Sequence, residues 1–249
     1  MKILTLNVDM FNLQIDDSFE AFIESYDPDI AVVQEYRANH AGKVQWIPPT
    51  KYDKEISKID ARFYLTVASC KNRKMERDDS TDFEKYNRCY IALKQEEEEV
   101  HALSLLGVHI PIEKDENVDF NNFLSFIDNS DFDIICGDFN ASDKNPKSKN
   151  FELLEELKQG SNSYLDLWDY GVNNGLAYYV DYAGNQKKVE KDTFIRTYVG
   201  NTHIDYICGR SDKFPAKFKV NCIVIDMRTL AFTDHCAVIL DCEPIPANS

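Results

Sequence analysis

The sequence has no long block of lysine or arginine, and its formal net charge is -15. A chain this acidic repels phosphate backbones at long range, which argues against a broad, non-specific nucleic-acid groove. Phosphate chemistry is not excluded, because a divalent ion held by carboxylates reverses the local field. The seven cysteines include no CxxC pair, their number is odd, and most lie in apolar strand-like runs. That pattern disfavours a disulfide framework or a zinc site and predicts buried reduced thiols. No apolar run approaches membrane-spanning length. The stretch Met1 to Asp9 is broken by Asn7 and Asp9 too early for a signal peptide. Together these absences predict a soluble, cytoplasmic protein without a membrane span. There is also no internal repeat, low-complexity tract or linker-like shift in composition. The 249 residues, 43% hydrophobic, are therefore expected to form one α/β domain spanning 1–249.

Strand and helix signals alternate along the chain. Lys2 to Val8 reads as a first strand, and Phe19, Phe22, Ile23 and Tyr26 form the stripe of an amphipathic helix. Asp16, Asp17 and Ser18 supply N-cap chemistry before that helix, and Asp27-Pro28 ends it. Ile30 to Gln34, Arg62 to Ser69, Arg88 to Leu93 and Val100 to Ile110 read as further strands, with Glu96 to Glu99 a solvated turn. Phe120, Phe123, Leu124 and Ile127 repeat the helical stripe, and Ile134 to Cys136 is a short buried strand. Phe151, Leu154 and Leu157 mark a helix between Pro146 and Gly160. The last third reads mostly as strands: Thr193 to Val199, Ile204 to Cys208, Lys217 to Ile225 and Cys236 to Cys242. Asn39 to Lys58, Lys71 to Tyr86 and Gly171 to Lys191 read as loops, where specificity in such folds resides.

Polar residues gather where these apolar runs end. Asn7 and Asp9 close the first strand, Glu35 closes the second, and His109 lies near the end of Val100 to Ile110. Gly137-Asp138-Phe139-Asn140 follows a buried strand, His203 and Asp205 bracket Ile204, and Thr233-Asp234-His235 leads into the last strand. Taken singly, an Asp or Asn there reads equally as a turn or cap, and His109 as a hydrogen-bonded core histidine. Their joint occurrence at strand termini, where α/β folds collect ligands, carries the argument.

The order of these motifs resembles the endonuclease/exonuclease/phosphatase (DNase I-like) superfamily. The matching pieces are Leu6-Asn7-Val8-Asp9, Pro28-Asp29-Ile30 leading to Gln34-Glu35, Gly107-Val108-His109, Gly137-Asp138-Phe139-Asn140, Ile204-Asp205-Tyr206 and Thr233-Asp234-His235. The resemblance spans nearly the whole chain. Two positions depart: Leu6 stands where the family often has Trp, and His203 where an Arg commonly precedes the Asp.

The resemblance implies a four-layer α/β sandwich, two packed mixed β-sheets flanked by helices, and metal-dependent hydrolysis of phosphodiesters. It implies Mg2+, with Mn2+ a substitute, held by Glu35 with Asn7, Asp9 and Asp234. Asp138 would orient and deprotonate the attacking water, and Asn140 would hold that water or the phosphate. His235 would donate to a non-bridging oxygen with Asp205 fixing its tautomer, and His109 would lie near the phosphate or the leaving oxygen. Thr193 occupies a place where some relatives have a phosphate-facing Thr, although a β-branched strand residue is the plainer reading. The expected activity is a nuclease on DNA or RNA. The alternatives are a phosphatase or phosphodiesterase for a small phosphorylated metabolite or lipid headgroup, and, less expected, a non-catalytic interaction module. Lys71, Arg73, Lys74 and Arg77 form the one basic cluster, followed by Arg88, and read equally as a solvated or a substrate-facing loop. Trp46 and Trp168 are expected to be packing residues.

Overall fold

A computed structural model describes residues 1–9, 17–37, 64–70, 75–78, 86, 88–95, 102–112, 118–160 and 163–246. Asp16, Trp46, the basic residues Lys71, Arg73 and Lys74, the turn Glu96 to Glu99 and the loop Asn39 to Lys58 lie outside the described residues. So does most of Lys71 to Tyr86.

In chain order the first half forms β1 (Lys2–Asn7), α1 (Asp17–Tyr26), β2 (Ile30–Arg37), β3 (Tyr64–Cys70), β4 (Met75–Arg77), β5 (Tyr90–Gln95) and β6 (Ser104–His109). Then follow α2 (Val118–Asp128), β7 (Ile134–Asp138), α3 (Lys149–Gln159), β8 (Tyr164–Asp166), α4 (Leu167–Asn174), β9 (Ala177–Val180) and β10 (Gln186–Lys188). The chain closes with β11 (Asp205–Arg210), α5 (Phe214–Lys217), β12 (Phe218–Asp226), a 3-10 turn (Met227–Ala231) and β13 (Ala237–Pro244).

The strands make two mixed sheets, one in the order β10-β9-β12-β13-β1-β2-β3 and the other β4-β5-β6-β7-β11-β8. Period-two alternation decides what each residue packs against. Ile3, Val32, Leu105, Ile134 and Val238 point between the sheets and form the central core. Their neighbours Leu4, Val33 and Ile239 face the other way and pack under α1, against Phe19, Phe22 and Ile23. On the second sheet Leu106 and Ile135 turn outward onto Phe120, Phe123 and Ile127 of α2 and Leu153, Leu154 and Leu157 of α3. The result is four layers, helix–sheet–sheet–helix, as the sequence resemblance implied. All seven cysteines are free, and only Cys70 and Cys222 are not fully buried. Among the described residues no helix is long and apolar enough to cross a membrane.

Local signals explain most boundaries. Ser148 caps α3 by accepting the Phe151 amide, and Gly160 follows its end. Asp166 caps α4 through the Trp168 and Asp169 amides, and Gly175 closes it in the left-handed region at φ 71°. Four expectations change. Lys71 to Tyr86, read as a loop, holds the short strand β4 (Met75–Arg77), which pairs with β5; three residues with little apolar content give no alternation to read. Gly171 to Lys191 is not a plain loop: it holds the end of α4 together with β9 and β10. The helix is only eight residues long, too short to display a full apolar stripe, and β10 (Gln-Lys-Lys) is wholly exposed, so it shows no alternation. Thr193 to Val199 is not a strand, because turns at Thr193 and Asn201 bound it and only Tyr198 makes isolated bridges. Finally, β2 does not stop at Gln34. It runs on to Arg37 through a bulge in which Gln34 and Glu35 together oppose one residue of β3.

Candidate active site

Topology brings the motif residues to one end of the sandwich. β1 runs parallel to β2 with Asn7 beside Gln34, and β6 runs parallel to β7 with His109 beside Asp138. Antiparallel β11 starts with Asp205 opposite Asp138, so a strand beginning and a strand ending meet at the same edge. His235 sits just before β13, which is antiparallel to β1.

Each side chain is held by its backbone. Glu35 occupies the bulge at φ 54°, which lifts its carboxylate off the pleat toward the cluster. Gly137 precedes Asp138 at φ 141°, and a Cβ there would lie 1.9 Å from the Val108 carbonyl oxygen, so only glycine lets β7 approach β6 so closely. Asn140 sits at φ 49° and donates its amide N–H to Asp138 Oδ1 at 2.8 Å. Its side-chain amide reaches the Ile110 carbonyl at 3.0 Å and Asp138 Oδ2 at 3.4 Å. Three threonine hydroxyls tie the edges together: Thr233 of the Thr233-Asp234-His235 motif, and Thr197 and Thr229, which belong to no motif. Thr197 accepts the amides of Ile204 and Asp205 at 2.9 and 3.1 Å. Thr233 donates to the Asn7 carbonyl at 2.8 Å, and Thr229 to that of His235 at 2.7 Å. The only sequence signal of Thr197 and Thr229 is a polar, β-branched residue near a motif, which is too common to read.

The carboxylates and imidazoles form one connected cluster. Asn7 places its side-chain N–H groups between Glu35 Oε1 (3.1 Å) and Asp138 Oδ2 (2.9 Å), while its Oδ1 accepts the Asp9 amide at 2.9 Å. His109 Nε2 lies 3.4 Å from Glu35 and 3.8 Å from Asp138, with its ring edge-on to Tyr64. The Asp205 carboxylate contacts His235 Nδ1 at 3.0 Å, leaving Nε2 facing Asp138 at 3.9 Å and Asp234 at 3.6 Å. Burial by itself would lower the His235 pKa. The carboxylates of Asp205, Asp138 and Asp234 win, pushing it up to about 10, so the ring is an imidazolium at neutral pH. The Asp138 carboxyl is pushed up by complete burial, opposed by His235 and His109 and reinforced by Asp205. The half-buried Asp234 is likewise raised by burial, against the pull of His235.

Carboxylates outnumber fixed cations here, and that imbalance is the test of whether a metal fits. Glu35, Asp138 and His109 present donor atoms within 4.8 Å of one another, and so do Asp138, Asp205 and His235. Buried carboxylates without compensating charge are expensive, and a divalent cation beside Glu35 and Asp138 would supply that charge. Asp9 and Asp234 flank this group without joining either donor set. His203 lies apart from it. Its Nδ1 faces the Ile195 carbonyl at 3.0 Å, and its ring packs against Trp168 and Tyr206. Trp168 is buried as expected, and Thr193 is exposed at the rim of a separate pocket beside His203. Arg88 stacks over Tyr64 at 5.7 Å, on the His109 side.

No protein-family model matches the sequence, and no curated protein matches it by sequence. Solved structures match over the whole chain. An AP endonuclease from Leishmania major superposes with a TM-score of 0.64 at 13% identity, covering 98% of this chain and 88% of its own. The 3' phosphatase NExo from Neisseria, bound to a product DNA hairpin, gives 0.60 at 16% identity over 98% and 99%. The catalytic domain of Xenopus laevis APE2 gives 0.59 at 17% identity over 100% and 94%. At such identities the likeness establishes the fold, which is the DNase I-like sandwich.

Proposed function

We propose that this chain of DNase I-like fold is a divalent-metal-dependent phosphodiester hydrolase, and specifically a nuclease acting on DNA or RNA. One observation carries the reading: a buried Asp205–His235 imidazolium aimed at Asp138, which Asn7 bridges to Glu35, all at one end of the sandwich. Structural neighbours with this fold include an AP endonuclease and a 3' phosphatase, which supports the reading without specifying it.

Each role follows from what the group can do. Glu35, with Asn7, Asp9 and Asp234 around it, would hold Mg2+ or Mn2+, hard ions suited to oxygen donors. The bound ion would neutralise charge on the phosphoryl oxygens. Asp138 accepts hydrogen bonds from Asn7 and Asn140, which aim its carboxylate; it is the base that orients and takes a proton from water. The His235 imidazolium donates from Nε2 to a non-bridging oxygen, and Asp205 holds its orientation and charge. His109, with Nε2 turned toward the same carboxylates, stands beside the leaving oxygen, and Asn140 steadies the water.

A second reading is favoured by one property, the net charge of -15. A small phosphorylated metabolite or lipid headgroup needs no basic groove, so the same site would serve a phosphatase. Hydrolysis of labelled single- and double-stranded DNA and RNA with Mg2+, Mn2+ or chelator, beside Asp138→Asn, separates the two. Metal-dependent cleavage lost in the variant establishes a nuclease, whereas no cleavage above the variant transfers the reading to a small phosphoester.

A further inference from the structure

Tyr198 is an aromatic residue of the site that no motif identifies. It forms an isolated antiparallel bridge with His235, and bridge partners project from the same face. Its ring therefore emerges beside the imidazole, with centroids 5.0 Å apart. The preceding residue points the opposite way: Thr197 is fully buried and holds the Ile204 and Asp205 amides. One two-residue step thus fixes the backbone of Asp205 on one side and places a phenol in the site on the other.

The ring is also held from behind. A Cβ at Gly200 would come within 2.8 Å of it, so the phenol lies directly across a glycine backbone and is pinned between that turn and His235. The backbone of the turn is closed by Asn201 N–H to the Tyr198 carbonyl and Val199 N–H to the Asp234 carbonyl, both at 3.0 Å. Among the described residues the hydroxyl has no hydrogen-bond partner, although the ring is only partly exposed. Its surroundings are the acidic cluster itself: burial first, then Asp234, Asp9, Asp138 and Glu35, oppose its ionisation. A neutral O–H in that place is a donor without an acceptor among the described residues.

We infer that the Tyr198 hydroxyl is a substrate-contacting donor, giving a hydrogen bond to a phosphoryl oxygen of the phosphoester beside His235. This rests on the phosphoesterase reading above and deepens it. No proton is transferred in this role; the hydroxyl and the His235 N–H act on the phosphoryl group as paired donors. The ring, packed against the imidazolium, sets the direction of both.

The test compares Tyr198→Phe, which keeps the ring on Gly200 and His235, with Tyr198→Leu, which removes it. With bis(4-nitrophenyl) phosphate and Mg2+, Tyr198→Phe is expected to lower kcat about 10- to 100-fold, the range below a full oxyanion-hole donor. The thermal midpoint should be unshifted and the affinity for Mn2+ alone should stay within about threefold, which a structural role would not allow. Titration with inorganic phosphate in the presence of Mg2+ should show binding weakened about fivefold or more. Tyr198→Phe within twofold of the unmodified protein in both assays overturns the inference, and normal Phe with a defective Leu variant reduces Tyr198 to a wall. An unmodified protein that neither hydrolyses the ester nor binds phosphate overturns the phosphoesterase reading itself, and this role with it.

Discussion

The two flanks of the site are built differently. On the Asp205–His235 flank both of these side chains are buried, and the backbone is clamped by Thr197, Thr229 and Thr233. On the Glu35–His109 flank the carboxylate is 19% exposed on a strained bulge, and His109 Nδ1 is buried with no hydrogen-bond partner among the described residues. Burial on the first flank fixes a charge, while incomplete satisfaction on the second leaves room for groups that arrive later. A rigid donor side facing an adaptable ligand side is what a site needs when its own charges are set and its ion and substrate are not. Asp138 belongs to both, touched by Asn7 and Asn140 and facing both imidazoles.

The sharpest way to break that comparison is to change the shared residue. Asp138→Asn should lower turnover by about 10³-fold or more while the circular dichroism spectrum stays unchanged. In chelator the same change should raise the thermal midpoint, because it deletes a buried charge whose ionised form burial disfavours. Full activity would mean that another group activates the water. The adaptable flank is addressed by Glu35→Ala, expected to abolish activity and weaken Mg2+ or Mn2+ binding about 10- to 100-fold by calorimetry. Because Glu35 is partly exposed, its loss should change stability little, and near-normal turnover at limiting Mg2+ would remove it from the site.

Smaller effects probe the rigid flank. Thr197→Val keeps the shape but strands two buried amides, so urea unfolding should show a loss of about 2–4 kcal/mol together with reduced kcat. An intact rate with lowered stability would confine Thr197 to the fold. The last prediction concerns pH. His235 titrates at about 10 when folded against 6.5 ordinarily, so its contribution is complete below about 6.5 and is lost as pH rises to 10. In chelator, unfolding free energy should fall by a few kcal/mol across that window, and His235→Asn should flatten the fall. An identical slope in both proteins would show that the imidazole does not carry the charge.

The sequence by itself determined the layers and the order of the motifs. Alternating apolar residues such as Ile3-Leu4 and Ile134-Ile135 commit each strand to two packed faces, and helical stripes such as Phe120, Phe123 and Ile127 need a sheet to cover. Those periodicities are local, so they are legible without a structure. Short or polar elements were not: β10 has no apolar face to alternate, and α4 is held by Asp166 and by packing rather than by a stripe. The segment Thr193 to Val199 reads as a strand because β-branched residues alternate there, yet among the described residues it makes no pairing beyond the Tyr198 bridges.

The motif residues were legible as types, Asp and His at strand ends, but their relations were not. Only the tertiary structure decided that Glu35 stands on a bulge, that Asn7 turns its N–H groups toward two carboxylates, and that three carboxylates outweigh burial at His235. It alone set Tyr198 beside His235 and Thr197 under Asp205. Such facts depend on register between strands distant in sequence, and on the electrostatic sum over groups that share no segment. No local pattern encodes either quantity.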